Sequence, residues 1–335
     1  MTTSLGVGII GAGRIGKLHA KNIAGSIEGA HVVIVMDAFA EAANALAAKY
    51  NAASTQDVQD LINHPEVDAV VIGSPTSLHA EQIKLAAKAG KAIFCEKPVA
   101  LDLPTTREAM HVVREAGVPF QIGFNRRFDP AITGIAQTIH KGELGKVEMF
   151  RSQSSDPSPP PLSYVATSGG IFLDSAVHDF DIARFIGGEI ERVTALGRVL
   201  VEPDYAQYSD VDTSVVTLEF TSGALGIIQN SRRTKFGHDV RVEVHAAGGK
   251  LVAEHERRNS VWRYTADGMA ADYQMDFLER FRDAYVLELQ AFVDAVHSGT
   301  PPTPTHTDAI ESLRVALAAT RSLREQRPVQ LSEIT

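Results

Sequence analysis

The sequence predicts two fold classes in succession: an α/β domain on a parallel sheet, then an α+β domain with a large, mostly antiparallel open sheet. Three observations carry the prediction. Short β-branched runs alternate with Ala-rich helical segments as far as residue 123. Longer strand-like runs with a hairpin signal then take over, and the C-terminal stretch returns to helical spacing. With 335 residues and 44% hydrophobic content the chain can fill two cores, since single cores stop growing at roughly 250–300 residues.

Taken in order, Leu5–Ile10 is a short apolar run and reads as the first strand. Gly11–Gly16 is a turn, and Ile15–Ile27 has helical spacing. His31–Met36 (HVVIVM) is β-branched and short, hence a buried strand. Ala40–Tyr50 is helical, Val67–Ile72 is a third strand, and Ser77–Ala89 is the helix after it. Ala92–Cys95, Thr105–Ala116 and Pro119–Gly123 supply a strand, a helix and a fifth strand. Repeated βα units of this length build a parallel sheet covered on both faces. Beyond them Pro130–Lys141 reads as a helix. Val147–Gln153, Val193–Leu200, Thr213–Phe220, Ala224–Ser231 and Val240–His245 read as strands, with Ser222-Gly223 as a hairpin turn. Asp156–Pro161 (DPSPPP) is a loop, because proline has no N–H to offer a central strand. Phe277–Ser298 and Thr307–Gln326 are helical, separated by Gly299-Thr-Pro-Pro302. The expected domains are 1–123 and 124–335, with the C-terminal helices able to pack back on the first.

A formal charge of −9 disfavours phosphate backbones and anionic lipid, so neither nucleic acid nor membrane is an expected partner. Cys95 is the single cysteine and lies in the apolar run Lys91–Cys95. It cannot form an internal disulfide or a CxxC zinc site, and reads as a small buried hydrophobe. No run of about 18 apolar residues is present, and the N-terminus lacks a basic stretch before its first apolar run. The cytoplasm is the expected compartment.

Gly11-Ala-Gly-Arg-Ile-Gly16 fits G-x-G-x-x-G and stands between a strand and a helix, the context a dinucleotide pyrophosphate needs. Gly11 permits the tight turn, Gly13 lets the backbone approach the ligand, and Gly16 lets helix pack on strand. Arg14 and Ile15 complete the loop beside the helix N-terminus, whose free N–H groups favour an anion. Asp37 closes the second strand about twenty positions after Gly16, where a carboxylate accepts both adenosine ribose hydroxyls and repels a 2′-phosphate. Ala38 and Phe39 follow it, with no cation for such a phosphate, so NAD is expected over NADP. Gly73-Ser-Pro-Thr76 ends the third strand on the same edge, placing Ser74, Pro75 and Thr76 near the nicotinamide ribose, with His79 a further candidate for that ribose.

Glu96-Lys97-Pro98 ends the fourth strand on that edge. Lys97 can donate to a substrate hydroxyl and stabilise developing alkoxide charge, or alternatively act as the base with His178 as an orienter. In the second domain Asp174, His178 and Asp181 stand at i, i+4 and i+7, one face of a helix. A carboxylate one turn from an imidazole can fix its tautomer and raise its basicity, as a general base near neutral pH requires. Two ligands without a thiol fall short of a zinc site, so no metal is expected.

With those motifs in order, the chain resembles the glucose–fructose oxidoreductase/inositol dehydrogenase family, which combines a GxGxxG start, E-K-P and a GG-x-x-x-D-x-x-x-H-x-x-D segment. The resemblance extends through Gly123-Phe-Asn-Arg-Arg-Phe-Asp129 and Ser231-Arg-Arg … Phe236-Gly-His-Asp-Val-Arg-Val-Glu243, and is greatest to the bacterial inositol 2-dehydrogenases within the family. It implies a Rossmann NAD-binding domain followed by a substrate-binding, self-associating domain, and a homotetramer. It implies that Lys97, Asp174 and His178 are catalytic, and that Arg126 and Asp156 contact substrate, with His238 beside them. Arg127 is left facing either the cofactor or Asp129. The chain departs from the pattern at Phe236 and His238, where tyrosines are expected, and at Asp156, where Asn is common. The implied reaction is NAD-dependent oxidation of one secondary hydroxyl, of myo-inositol first. Alternatives are scyllo-inositol, glucose or an anhydrosugar and, from another class, a non-catalytic NAD-binding regulator.

Overall fold

The computed structural model describes residues 4–335. The chain divides into two units: the first 125 residues with Asp283–Glu311, and Arg126–Arg282 with Ser312–Thr335.

In chain order the first unit carries β1 (Leu5–Ile10), α1 (Arg14–Gly25), β2 (Ala30–Met36), α2 (Ala40–Ala48), β3 (Ala53–Thr55) and α3 (Val58–Ile62). It continues with β4 (Ala69–Ile72), α4 (Thr76–Lys88), β5 (Ala92–Glu96), α5 (Leu103–Ala116) and β6 (Phe120–Gly123). The strands lie in the order β3-β2-β1-β4-β5-β6, and every pairing is parallel. This is the doubly wound Rossmann arrangement, in which the order reverses beside β1 and opens a ligand crevice at the strand ends. β1 and β4 are buried along their whole length, which is why the sequence shows them as unbroken apolar runs. β3 is short and largely exposed, so it left no such run.

The second unit opens with α6 (Pro130–His140), β7 (Val147–Ser155), α7 (Leu162–Ser168), α8 (Ile171–Asp174) and α9 (Val177–Gly187). β8 (Ile190–Arg198), β9 (Thr213–Phe220), β10 (Leu225–Ser231), β11 (Asp239–Ala246) and β12 (Gly249–Ala253) follow. A separate hairpin, β13 (Arg257–Thr265) and β14 (Gly268–Tyr273), and the one-turn helix α10 (Phe277–Arg280) complete this stretch. Then come α11 (Arg282–Ser298), α12 (His306–Glu325) and β15 (Val329–Gln330). The sheet order is β12-β11-β7-β10-β9-β8-β15. All its pairings are antiparallel except β7 with β10. The Ser222-Gly223 turn joins β9 to β10, with Gly223 at φ 85°. One sheet face is core, built on Phe150, Val216, Leu218, Phe220, Ile228 and Val244.

One expectation about helices needs correction. Phe277–Ser298 is not one helix: it breaks at Phe281, dividing α10 from α11. Thereafter α11 belongs to the first unit, where Leu289, Phe292 and Val293 enter the core of β1, β4 and β5 and Phe292 meets Phe94 edge to face at 5.9 Å. The β13–β14 hairpin had no forecast, because its residues are mostly exposed and show no buried alternation.

Candidate active site

In the first unit, the parallel order brings the C-terminal ends of β2, β1, β4 and β5 to one edge, with the predicted cofactor residues on them. Gly11 has φ +100°, and a Cβ there would lie 2.8 Å from the Gly73 carbonyl oxygen. A Cβ at Gly16 would lie 1.8 Å from the Gly11 carbonyl oxygen, so only glycine allows α1 this close to the turn. Gly13 differs: nothing lies within 4 Å of the direction a side chain would take. It is the N-cap of α1 and makes no side-chain cap, and the first turn has no acidic residue. That open space lies beside the positive end of α1, which fits a pyrophosphate. Arg14 is exposed and Ile15 half-buried on that turn.

Asp37 lies just beyond β2. Its Oδ2 accepts from the Ala12 N–H at 2.7 Å and its Oδ1 from the Phe39 N–H at 2.9 Å. The carboxylate is thereby fixed against the glycine loop, and its remaining lone pairs suit ribose hydroxyls. Ser74 donates its hydroxyl to Gln82 Oε1 at 2.6 Å, and Pro75 and Thr76 start α4. Lys97 is half-buried after β5, and Glu96 takes His19 Nε2 at 2.7 Å.

His79 is not placed as a ribose contact. It is 1% exposed, with Nδ1 2.8 Å from the Pro98 carbonyl oxygen and Nε2 2.8 Å from that of Ser74. Both ring nitrogens are thus taken by backbone, and the ring clamps the Ser74 and Pro98 loops together. Burial lowers its pKa, outweighing the two carbonyls, which favour the charged ring.

In the second unit, the expected single helix through Asp174, His178 and Asp181 is two. Asp174 closes α8 and His178 lies in the first turn of α9, with Ser175 and Ala176 between. Asp181 is committed inside the unit: it is 0% exposed, accepts two bonds from Arg127 at 2.7 and 2.6 Å, and takes the Ser312 hydroxyl at 3.1 Å. Arg127 is thus committed to Asp181, while Asp129 caps α6 and pairs with Arg280.

Asp174 accepts from Tyr164 and from Arg232. The Tyr164 hydroxyl donates to Oδ1 at 2.7 Å, and Arg232 Nη2 donates to Oδ2 at 2.7 Å. Arg232 Nη1 donates to Asp156 Oδ2 at 2.9 Å, so one buried guanidinium joins both carboxylates. Burial alone would lower the Arg232 pKa, but Asp174 and Asp156 more than reverse this and raise it. His238 Nδ1 lies 3.5 Å from Asp156 Oδ1. Burial, with the Arg126 and Arg280 charges adding to it, pushes His238 down to about 3, so its ring is neutral at physiological pH.

Next to His178, Asp179 is fully buried and accepts from Arg126, Ser152, Ser154 and Asn230. These donors lie on β7, β10 and the turn before α6, and they pin the first turn of α9. Arg126 is 5% exposed and committed to Asp179 and Ser154 through Nη1. Sequence reasoning missed Arg232 and Asp179. Their signal is burial of a charged residue with its partners, and those partners lie as far as 76 and 53 positions away.

A doubly wound sheet with a ligand-ready glycine loop, an acidic β2 end and an ordered Asp–His segment defines a dinucleotide-dependent oxidoreductase. The chain belongs to the oxidoreductase family with an NAD-binding Rossmann fold (Gfo/Idh/MocA), matched over residues 5–124, and carries that family's C-terminal alpha/beta domain over residues 136–331. NAD is its cofactor class. It is 41% identical to a myo-inositol 2-dehydrogenase of Thermotoga maritima, over 98% of this chain and 99% of that protein. It is also 41% identical to a scyllo-inositol 2-dehydrogenase (NAD(+)) of Bacillus subtilis, over 96% of this chain and 95% of that protein. The structure of a scyllo-inositol dehydrogenase from Lactobacillus casei with bound NAD(H) and scyllo-inositol superposes with a TM-score of 0.93, at 30% identity and 98% and 100% coverage.

Proposed function

We propose that this chain oxidises one secondary hydroxyl of an inositol, with myo-inositol as substrate and 2-keto-myo-inositol as product, and with scyllo-inositol as the alternative. The observation that carries this reading is the presence of Lys97, Asp174 and His178 in a chain so similar to dehydrogenases of both inositols. Bound NAD, held by Gly11–Gly16 and Asp37 with Ser74, Pro75 and Thr76 toward the nicotinamide ribose, supplies the two-electron acceptor. His178 accepts the proton of the reacting hydroxyl. Lys97 donates to the same oxygen and stabilises its negative charge. Asp174, fixed by Tyr164 and Arg232, orients His178 and favours its protonated form. Asp156, Arg126 and His238 form the set that reads the remaining hydroxyls. A neutral His238 can donate to one hydroxyl or accept from it, so a wrong epimer leaves buried polar groups unsatisfied.

Self-association is part of the proposal. Register partners Leu196 and Val215, and Leu225 and Met149, are exposed on the outer face of the large sheet, an apolar surface of the kind a second copy buries. We place the enzyme in the cytoplasm as a homotetramer of inositol catabolism. Among the described residues no helix is long and apolar enough to cross a membrane.

The test is an absorbance assay for reduced nicotinamide, using purified protein, NAD and a panel of inositols and aldoses. Myo- or scyllo-inositol should give the highest kcat/KM. A preference for glucose, or no signal with any polyol, would overturn the reading.

A further inference from the structure

Three polar side chains meet inside the first unit beside the Glu96–Lys97 turn. His19 comes from α1, Glu96 from the end of β5 and Glu288 from α11. Their ligating atoms lie within 4.8 Å of one another. His19 and Glu288 are both 0% exposed, and neither side-chain oxygen of Glu288 accepts a hydrogen bond. The surrounding surface is apolar or aromatic: His19 packs edge-on against Phe94 at 5.2 Å and Tyr285 at 6.0 Å. Gln121, from β6, donates to the Glu288 backbone carbonyl at 2.9 Å.

Two occupants suit such a set, a divalent metal or a proton, and geometry separates them. Atoms bound to one small metal at about 2.0–2.1 Å stand about 2.9 Å apart at a right angle and further apart at a tetrahedral angle. His19 Nε2 and Glu96 Oε1 are 2.7 Å apart, a hydrogen-bond distance. The proton that joins them occupies the nitrogen lone pair a metal would need. A second ionised carboxylate beside Glu96, with no donor of its own, would cost several kcal/mol, whereas a carboxylic acid there costs far less.

We propose that His19, Glu96 and Glu288 form a buried proton-sharing cluster in which Glu288 is held as the uncharged acid, and that this cluster positions the Glu96–Lys97 turn. Glu288 is a positioning residue. Its carboxyl lies within 4.8 Å of that of Glu96 on the α11 side while His19 holds Glu96 from the α1 side, and Lys97 is the next residue along the chain. Burial, with the charge of Glu96 adding to it, holds the Glu288 carboxyl well above the usual carboxylate range. The titratable groups beside it are His19 and Glu96, with the Tyr285 ring edge-on to His19. The kinetic part of this inference rests on the role proposed above for Lys97; the protonation part does not.

The test is infrared spectroscopy of the full-length protein near neutral pH, with Glu288→Gln subtracted. Wild type should show the carbonyl stretch of a protonated acid, shifted by deuterium, and the subtraction should isolate it. No such difference band would overturn the uncharged acid, as would stoichiometric zinc retained after dialysis by wild type and lost in Glu288→Gln. Kinetically, Glu288→Gln keeps a neutral group of the same shape and should keep kcat. Glu288→Leu should lower kcat on the order of 10- to 10²-fold with the KM for NAD little changed. Equal damage from both variants would overturn the positioning role. Should Glu288→Leu fail to fold, the infrared band and Glu288→Gln still decide. Should wild type oxidise no polyol, the band still reports the cluster, and only the proposed function fails.

Discussion

Arg232→Met is the most informative perturbation in the second unit. The wild-type guanidinium is 4% exposed and donates to Asp174 at 2.7 Å and Asp156 at 2.9 Å. Methionine fills much of the volume but removes the charge, leaving two partly buried carboxylates facing one another. Breaking a buried pair in this way costs about 3–5 kcal/mol, because the remaining charge loses its partner. At about 2–4 °C per kcal/mol for a domain of this size, the melting temperature should fall by roughly 6–20 °C. The variant also acquires a pH signature. One of the two facing carboxylates takes up a proton more readily when folded than when unfolded, so the deficit should shrink as pH falls. Adding Asp156→Asn removes one of the two charges and with it their mutual repulsion, and should recover part of the loss in a double-mutant cycle. The assay is thermal unfolding followed by circular dichroism at about pH 5 and about pH 8. A loss below about 1 kcal/mol, typical of a solvent-screened pair, would refute the argument that Arg232 is a buried bridge. So would a deficit that does not change with pH.

Asp37→Ala should weaken the preference for NAD over NADP, since the carboxylate that repels a 2′-phosphate is gone; unchanged steady-state coenzyme ratios would count against the ribose contact. His238 carries a depressed pKa of about 3, so the stability tied to its neutral ring is present above its ordinary 6.5 and is lost as pH falls from there toward 3. His238→Phe should therefore flatten the acid limb of the stability profile over that window, and an unaltered limb in urea titrations would contradict the burial argument. Light scattering at micromolar concentration should show a tetramer, and Leu196→Glu on the exposed sheet face should shift it toward smaller species; a monomeric wild type would defeat the self-association proposal.

Much of the first unit was legible because parallel strands are buried on both faces, so Leu5–Ile10 and Ala69–Ile72 appear as unbroken apolar runs whatever surrounds them. The glycine spacing was legible for a related reason: the 1.8 Å approach at Gly16 tolerates no other residue. The break between Asp174 and His178 was not, since Ser175-Ala176 contains neither Gly nor Pro to announce it. Long-range ion pairs left no local trace either. Asp181 and Asp179 are marked as buried by distant partners, among them Arg127 and Arg126, more than fifty positions upstream. Glu288 misleads in the same way, because a charged residue on an amphipathic helix reads as its solvent face, and here the fold turns it inward.

Rapid-mixing turnover of Lys97→Ala and His178→Ala, set beside their affinity for NAD measured by fluorescence, bears most directly on whether both side chains act at one carbinol. Each variant should reduce inositol-dependent nicotinamide reduction on the order of 10²–10⁴-fold while binding NAD as wild type does. Turnover close to that of wild type in either one would contradict the assignment of that residue.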